Sequence, residues 1–491
     1  MRRVSAYLVF AFVVLSCDAD DVAGPSSMVE TVAVIPGVFS LVVTDTIRLT
    51  TIARGDIGNP LAGRPVVWET SSPSVATVSA SGLVTAVGTG AVNINATVEG
   101  KVGTATITVS PRFATGAFAS VSAGGAHTCA LTSSGVAYCW GRDETGQLGV
   151  PPPVTTCLSP PLGCALVPFP VDGGLRFERV SGGGAHTCGL TSDGSAWCWG
   201  SNSNGQLGDG SLTARHAPVA VSTTERFTRI AAGQSHTCAV TGNGAAWCWG
   251  ENNRGQLGDG TTQRRSTPVQ VVAAGVAFQH IAAAADNFRG FTCGLASTGT
   301  AWCWGANDRG QLGRGTRDNQ LTANPQPAPV AGTLVFTALA AGFGDHVCGL
   351  TAAGAAYCWG GGTSGQLGDG LTVDSRLPLA LPGEMSFVQI VPAGQSGDAA
   401  FTCGLTNGGA AYCWGSNTNG NIGDGTTGGQ RTRPVAVTGG HQFASLSGGM
   451  AHACGRTLAG VVYCWGSGRV GQLGTNYTTV SAQPVRVIGQ P

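Results

Sequence analysis

The segment HTCGLTSDGSAWCWGSNSNGQLGDG, residues 186–210, decides the fold because related copies of it recur along most of the chain. Each copy has short apolar runs, Gly-rich turns and no helical period, which favours β-strands. A repeat of about 50 residues is typical of propellers and solenoids. We predict one four-stranded blade per copy and seven blades in all, within the usual range. The Cys-Trp-Gly core of the seven copies starts at Cys139, Cys198, Cys248, Cys303, Cys358, Cys413 and Cys464.

A second cysteine precedes each of these by ten residues, with a glycine at a fixed place between them. In the first copy, Ser133-Ser134-Gly135 suits a three-residue hairpin loop, which favours Gly at its third position. Counting outward places Cys129 opposite Cys139 in a non-hydrogen-bonded pair, with Cα atoms about 4.5 Å apart. That separation is near the lower end of disulfide geometry. We predict the pairs Cys129–Cys139, Cys188–Cys198, Cys238–Cys248, Cys293–Cys303, Cys348–Cys358, Cys403–Cys413 and Cys454–Cys464.

Metal binding is the alternative for these cysteines, but zinc sites favour a much shorter Cys-to-Cys spacing. Two further cysteines, Cys157 and Cys164, lie in a Pro-rich insertion at 151–170 and are expected to pair with each other. We therefore predict no metal and no cofactor.

Two other positions repeat. The position two residues before the first cysteine holds Phe291 and Phe401 in copies four and six, and Phe cannot ligate a metal or act as a base. We therefore interpret it as a packing position, although five copies have His there: His127, His186, His236, His346 and His452. The residue before each second cysteine is aromatic, and we interpret these rings as core between blades, with a carbohydrate-stacking platform as the alternative. They are Tyr138, Trp197, Trp247, Trp302, Tyr357, Tyr412 and Tyr463.

The loop between the first two strands of a blade varies in length. It spans six residues from Val121 to His127, but ten in copy four and eleven in copy six. Since blades four to six are neighbours, their loops could form one patch, and exposed aromatic and charged side chains suit a protein interface. Solvated loops without a partner are the alternative. The candidate partner-binding residues are Asp286, Asn287, Phe288, Arg289, Phe343, Asp345, Ser396 and Asp398.

The repeat string, seen clearly at Asn202–Gly210 and Asn252–Gly260, resembles the regulator of chromosome condensation repeat family. The resemblance implies a seven-bladed β-propeller over residues 117–491. The founding member is a nuclear exchange factor for a small GTPase, so the resemblance also implies guanine-nucleotide exchange. An export signal, zero net charge and paired cysteines disfavour that activity here. Exported bacterial propellers with similar repeats include a β-lactamase inhibitor, which implies protein binding.

Residues 29–110 contain no cysteine and show seven short strands rich in Val, Thr and Ile, which predicts a small β-sandwich. Gly63–Trp68, Ser72–Ser79 and Ser81–Gly88 resemble the bacterial immunoglobulin-like domain of group 2. The resemblance implies a spacer, or a domain of the adhesin type, with Trp68 in its core. A linker at 111–116 is expected to join it to the propeller.

The N-terminus has two basic residues, an apolar run from Val4 to Leu15, and then Ser16-Cys17. This order is typical of a secretory signal, and the run is too short to span a bilayer. Val14–Cys17 resembles the bacterial lipobox, which implies a signal peptide at 1–17 with Cys17 lipidated. A plain signal peptide cut elsewhere is the alternative. Residues 18–28 are predicted to be a flexible tether.

The 26 basic and 26 acidic side chains cancel and form no basic cluster, which argues against nucleic-acid binding. The chain has no HExxH or Ser-His-Asp pattern and few acidic residues, so we predict no catalytic residues and no enzyme.

We predict an all-β protein, a seven-bladed β-propeller preceded by a small immunoglobulin-like β-sandwich. We expect a monomeric exported lipoprotein at the outer membrane, cell surface or periplasmic face, anchored to the membrane through its lipid. Its partner is an unknown protein or surface glycan. A structural or adhesive envelope component is the alternative.

Overall fold

The computed structural model describes eight stretches of the chain: residues 28–43, 45–88, 90–110, 117–150, 155–157, 162–284, 289–395 and 399–490. They form two compact units, with most residues up to 108 in the first and residues from 109 onward in the second. Every regular element in these stretches is a β-strand, so the all-β fold class is confirmed. Within them, no helix is long and apolar enough to cross a membrane.

The first unit has nine strands among its described residues: β1 (Thr31–Ile35), β2 (Val38–Val42), β3 (Thr46–Arg48), β4 (Thr50–Arg54), β5 (Val67–Thr70), β6 (Ala76–Val78), β7 (Leu83–Ala86), β8 (Gly90–Val98) and β9 (Lys101–Ser110). They form antiparallel sheets in the orders β2-β9-β8-β5, β3-β7-β6 and β1-β4. Alternate residues of β8 and β9 point inward, and Ile94 and Ile107 are fully buried. The prediction of seven strands was two short, because it omitted β2 and ran β3 and β4 together.

The second unit consists of seven antiparallel sheets, each built from consecutive strands of one repeat. Blade one contains β10 (Phe118–Ala123), β11 (His127–Thr132), β12 (Ala137–Arg142), β13 (Thr155–Cys157) and β14 (Leu162–Pro170). Blade two contains β15 (Arg179–Gly182), β16 (His186–Leu190), β17 (Ala196–Gly200) and β18 (Arg215–Ala220). Blade three contains β19 (Phe227–Ala232), β20 (His236–Thr241), β21 (Ala246–Gly250) and β22 (Arg265–Gln270).

Blades four to seven follow the same plan. They contain β23 (Phe278–Ala284), β24 (Phe291–Ala296), β25 (Ala301–Gly305) and β26 (Ala328–Pro329); β27 (Ala338–Ala341), β28 (His346–Leu350), β29 (Ala356–Gly360) and β30 (Ser375–Ala380); β31 (Phe387–Ala393), β32 (Phe401–Thr406), β33 (Ala411–Ser416) and β34 (Gln430–Ala436); and β35 (Phe443–Gly448), β36 (His452–Thr457), β37 (Val462–Gly466) and β38 (Ser481–Arg486).

The first strands of the blades surround the propeller axis. Each contacts the first strand of the next blade, and β35 of blade seven contacts β10 of blade one. Since neighbouring strands within a blade are antiparallel, the loops after the first and third strands emerge on one face, which we call the loop face. The hairpins between second and third strands, and the connections between blades, lie on the opposite face, the hairpin face.

A disulfide closes the hairpin between the second and third strands of each blade. Cys129 lies directly opposite Cys139, and the equivalent pairs have Cα atoms 4.0 to 4.2 Å apart. The hairpin glycine adopts the left-handed conformation that this loop needs, with φ of +81° at Gly135. A further disulfide, Cys157–Cys164, joins β13 to β14 in the insertion of blade one.

The repeated histidines bond to the next blade rather than only filling space. At the interface of blades two and three, the His186 Nε2 lies 2.9 Å from the Thr237 hydroxyl. That hydroxyl donates its one proton to the main-chain carbonyl of Gln206, at 2.9 Å, so it must accept from the imidazole. The Trp249 indole N–H donates to the same carbonyl at 2.9 Å. Two side chains of blade three thus meet at one backbone oxygen of blade two, and His186 of blade two bonds to one of them.

Five interfaces contain this His–Thr bond, and the bond between blades seven and one closes the ring in the same way as the others. The pairs are His127–Thr187, His186–Thr237, His236–Thr292, His346–Thr402 and His452–Thr128, at 2.7 to 2.9 Å. At the other two interfaces, Phe291 shares an apolar cluster with Val347, and Phe401 shares one with Ala453. Where His is lost, its Thr partner is lost too.

The buried aromatic rings support this reading of the interfaces. The tryptophan of every Cys-Trp-Gly is fully buried. In blade two its ring packs against the phenylalanine that precedes the first strand, with 5.6 Å between the ring centroids of Phe177 and Trp199.

The histidines make the ring sensitive to acid. Burial lowers the pKa of His186, His236 and His452 to about 3, and that of His127 and His346 to about 4. The unfolded chain, with an ordinary pKa near 6.5, therefore binds more protons between about pH 4 and 6.5. Stability from this source is complete above pH 6.5 and is lost as the pH falls, by up to about 1.4 kcal/mol per histidine per pH unit.

We expect the double variant His186→Phe with Thr237→Val, which copies the pair of blades four and five, to reduce this acid sensitivity. Urea unfolding at pH 7.5 and 5.5 measures it. The difference in unfolding free energy between the two pH values should shrink by about 1.4 kcal/mol, because one histidine no longer titrates on unfolding. An unchanged difference would show that His186 does not carry the effect.

A buried amide in blade six predicts a stabilising substitution. In other blades the glutamine of this loop accepts a backbone N–H from two residues earlier, as Gln311 does from Arg309 at 2.8 Å. Asn421 takes this position in blade six, is fully buried, and has no hydrogen-bond partner for either side-chain atom among the described residues. Asn421→Gln should therefore add about 1 kcal/mol to the free energy of unfolding. The reverse change, Gln311→Asn, should remove a similar amount, and a loss in both variants would contradict the explanation.

Candidate binding surface

Three of the eight predicted partner-binding residues lie among the described residues, and those three are on the loop face. Asp286, Asn287, Phe288, Ser396 and Asp398 lie outside the described residues. Arg289, Phe343 and Asp345 are described, and they belong to the first loops of blades four and five.

Arg289 ties blade four to blade five. Its guanidinium lies 2.6 Å from the Asp308 carboxylate, in the loop after the third strand of blade four, and 3.1 Å from the Asp345 carboxylate. Both carboxylates are almost fully buried, and the Arg289 side chain is 20% exposed. Breaking one partner of a buried ion pair leaves an uncompensated charge, which is costly. Arg289 therefore stabilises the contact between blades four and five on this face.

The expectation that Phe343 and Asp345 are exposed is wrong. Phe343 is 6% exposed and Asp345 is 2% exposed. The flanking glycine explains the inward path, because a Cβ on Gly342 would lie 2.1 Å from the Pro392 carbonyl oxygen of blade six. The loop passes against this backbone, so its side chains turn into the protein. Phe343 lines the cavity on the propeller axis instead of facing solvent.

That central cavity has a volume of about 280 Å³ and is lined by the first strands and Phe343. Most of the lining is small or apolar, including Ser122, Ala123 and Ile230, and none of the described lining residues is acidic. A cavity without a carboxylate offers no acid–base pair for hydrolysis of a glycoside. Among the described residues, no group of three or more His, Cys, Asp and Glu side chains could hold a metal ion.

A second, polar pocket of about 380 Å³ opens on the loop face, where loops of blades one, two, three, six and seven meet. Its lining includes Glu144, Gln234, Gln395 and Met450, together with Arg142, whose Nε donates to Glu144 at 2.7 Å. A concave site with a few convergent polar groups is the usual form of a binding site. The disulfide-closed insertion of blade one emerges on this same face. Comparison of loop lengths missed this pocket because most of its lining residues come from blades one, two, three and seven, whose first loops carry no insert; Gln395 comes from the long first loop of blade six.

The aromatic residues before the second cysteines do not form an open platform. They are half-buried, and several pack edge-on against the phenylalanine at the start of the first strand, as Tyr138 does on Phe118 with centroids 6.2 Å apart. One face of Tyr463 is covered by His441, at 4.0 Å. These contacts favour the core role over carbohydrate stacking.

Family models match both units. The RCC1-like domain matches residues 71–397, and the regulator of chromosome condensation (RCC1) repeat matches residues 396–421 and 459–491. The bacterial Ig-like domain (group 2) matches residues 29–109. The RCC1-like match therefore begins inside the first unit, whereas the first propeller strand begins at Phe118.

Two similar proteins illustrate the relatives. The Ultraviolet-B receptor UVR8 of Arabidopsis thaliana is 32% identical over 359 residues, which cover 72% of this chain and 66% of UVR8. The human E3 ubiquitin-protein ligase HERC2 is 29% identical over 372 residues, covering 75% of this chain but 6% of HERC2. The chain thus spans less than two thirds of either relative.

Solved structures agree on the fold. Prp20p from Saccharomyces cerevisiae, described with its binding to Gsp1p and histones, has a TM-score of 0.61 and 22% identity, covering 73% of this chain and 87% of that one. Human WBSCR16 has a TM-score of 0.59 and 23% identity, covering 68% and 86%. The family-model match over more than half of the chain shows that it belongs to the RCC1-like domain family, and the chain carries a bacterial Ig-like domain of group 2.

Proposed function

We propose that this protein is an exported, lipid-anchored bacterial binding protein that recognises another protein through the loop face of its propeller. The observation that carries the proposal is the polar loop-face pocket, formed by loops of five blades on a disulfide-closed scaffold. Binding residues are commonly found on loops that a rigid scaffold positions. The loop face also carries the inserts of blades one, four and six.

The cysteines support export. Sixteen of the 17 are joined in eight disulfides, and such bonds persist in oxidising compartments outside the cytosol. The remaining one is Cys17, at the position where the lipobox resemblance requires a free thiol. The immunoglobulin-like unit would then serve as a spacer between the anchor and the propeller.

The relatives support binding more than any one activity. Prp20p binds Gsp1p and histones, but that likeness is below 25% identity and supports only the fold. Histones are basic proteins bound to DNA. This chain has no net charge, so it has no overall electrostatic attraction to nucleic acid. Only 6% of HERC2 is covered, so ligase activity has no support from that match. We therefore propose protein binding for this chain, and we propose neither nucleotide-exchange activity nor ubiquitin-ligase activity.

The anchor is tested by Cys17→Ala in a bacterial host. We expect the wild-type protein to fractionate with membranes and to carry diacylglycerol on its first mature residue, seen by mass spectrometry of the N-terminal peptide. The variant should lose the lipid and its membrane association, because acyl chains supply about 0.8 kcal/mol per buried methylene. Ser16→Ala, which keeps a small residue before the cysteine, is the matched control. A mature N-terminus elsewhere than residue 17 would refute the lipobox assignment.

The binding face is tested with matched charge substitutions. Ser203→Arg with Gln395→Arg adds two charges at exposed positions around the loop-face pocket. Thr298→Arg with Ala352→Arg adds the same charges at exposed hairpin tips on the opposite face. Cross-linking in intact cells, followed by mass spectrometry, identifies partners of the wild-type protein. We expect the loop-face variant to weaken binding of the identified partner at least tenfold, about 1.4 kcal/mol, because unpaired charges are buried on association.

The hairpin-face variant should bind like the wild type. Equal weakening by both variants would refute the loop face as the binding site. Retained envelope attachment with no partner protein would favour the structural or adhesive role, and saturable binding to envelope glycans alone would favour glycan recognition.

A further inference from the structure

Seven equivalent positions form a ring around the propeller axis near the hairpin face. Each lies near the start of its first strand and opposite the residue two after the first cysteine, as Arg229 lies opposite Val240. Because first strands of neighbouring blades contact one another, these residues occupy one level of the channel. They are Ser120, Arg179, Arg229, His280, Ala338, Gln389 and Ser445.

The three basic members belong to consecutive blades, two to four, and no other member carries a charge. Arg179 makes neither an ion pair nor a hydrogen bond within the described part of the chain. Among the described residues, the Arg229 guanidinium bonds only to the neighbouring Thr228 carbonyl, at 3.0 Å. Other arginines differ: Arg215 and Arg265 each pair with an aspartate of their own blade at 2.8 to 2.9 Å. Burial and the nearby Arg229 lower the pKa of Arg179, while exposed Glu178 opposes this. The two cations therefore repel each other.

His280 adds a polar group that points to a ligand. It lines the central cavity, and its Nδ1 is shielded from solvent and has no hydrogen-bond partner among the described residues. Four of the five interface histidines have an equally unpartnered Nδ1, but all five bond to a threonine of the next blade through Nε2, whereas neither His280 nitrogen has a hydrogen bond among the described residues. Across the channel, the Gln389 amide oxygen accepts the Leu446 backbone N–H at 2.8 Å and its nitrogen donates to the Leu446 carbonyl at 2.9 Å. The two charged donors of the ring, Arg179 and Arg229, therefore lie on one side of the channel.

We propose that Arg179, Arg229 and His280 bind a small oxyanion, a phosphate group, at the hairpin-face mouth of the central channel. Guanidinium forks match the spacing of phosphate oxygens, and charge-assisted bonds to them are strong. With its proton at Nε2, the nitrogen that is not shielded, the neutral His280 imidazole supplies a third donor. The adjoining cavity of about 280 Å³ leaves room for such a group. This site lies on the face opposite to the proposed protein-binding surface and does not depend on it.

Isothermal titration calorimetry with inorganic phosphate at pH 7.5, on the full propeller with its first unit, tests the site. We expect saturable binding of one phosphate per chain. Arg179→Gln and Arg229→Gln should each weaken it by about tenfold or more, since each removes a charge-assisted bond. Arg229→Lys keeps the charge but not the fork, so it should lie between the wild type and Arg229→Gln.

Arg226→Gln is the matched control, because Arg226 belongs to the same blade but pairs loosely with Asp193 at 3.8 Å, away from the axis. It should bind phosphate like the wild type. A rise in melting temperature with phosphate, present in wild type and control but absent in Arg179→Gln, separates lost binding from lost folding. Absence of saturable binding up to about 10 mM phosphate, or equal weakening by Arg226→Gln, would overturn the proposal.

Discussion

One backbone carbonyl per blade, on the loop before the fourth strand, holds the ring of blades together. In five interfaces it accepts the threonine hydroxyl of the next blade, as the Gln147 carbonyl accepts Thr187 at 2.8 Å. In the other two it accepts the buried tryptophan, at Gln311 and Asn421. The carbonyl is shut off from water, so removing its donor would cost about 1–3 kcal/mol rather than the smaller net value of a bond. The Gly-Gln-Leu-Gly turn orients this carbonyl oxygen toward the next blade.

The disulfides stabilise individual blades, and these carbonyls stabilise the contacts between blades. Each hairpin disulfide links two adjacent strands of one blade and never joins two blades. The disulfides therefore stabilise single blades, whereas the packing between blades, and the closure of blade seven on blade one, depend on noncovalent contacts. Every blade is built from consecutive strands, and within the described residues no strand of one blade joins the sheet of another. The Thr128 and Trp140 bonds to the Gln472 carbonyl, both 2.9 Å, replace such a lock.

Regular features of the fold could be predicted from sequence, because a repeat fixes many contacts at once. The hairpin glycine sets the register that places each cysteine opposite its partner. The inward turn of Phe343 could not be predicted, since loop length alone says nothing of the backbone of blade six that the loop meets. The interface histidines did carry a readable signal. His186 precedes Thr237 in the next repeat, Phe291 precedes Val347, and Phe401 precedes Ala453, so the two positions change together.

The contacts between blades explain which positions of the propeller can vary in sequence. Residues that face a neighbouring blade must satisfy the shared carbonyl, so His–Thr changes to an apolar pair as a unit or not at all. Residues on the axis do not bond to the shared carbonyl. The seven equivalent positions around it therefore hold residues as different as Ala338 and Arg229. Loops on the outer faces are equally unconstrained, except where Arg289 braces two blades. Chemistry specific to this chain is therefore concentrated on the channel and the loop face, the two surfaces that the ring contacts leave unoccupied.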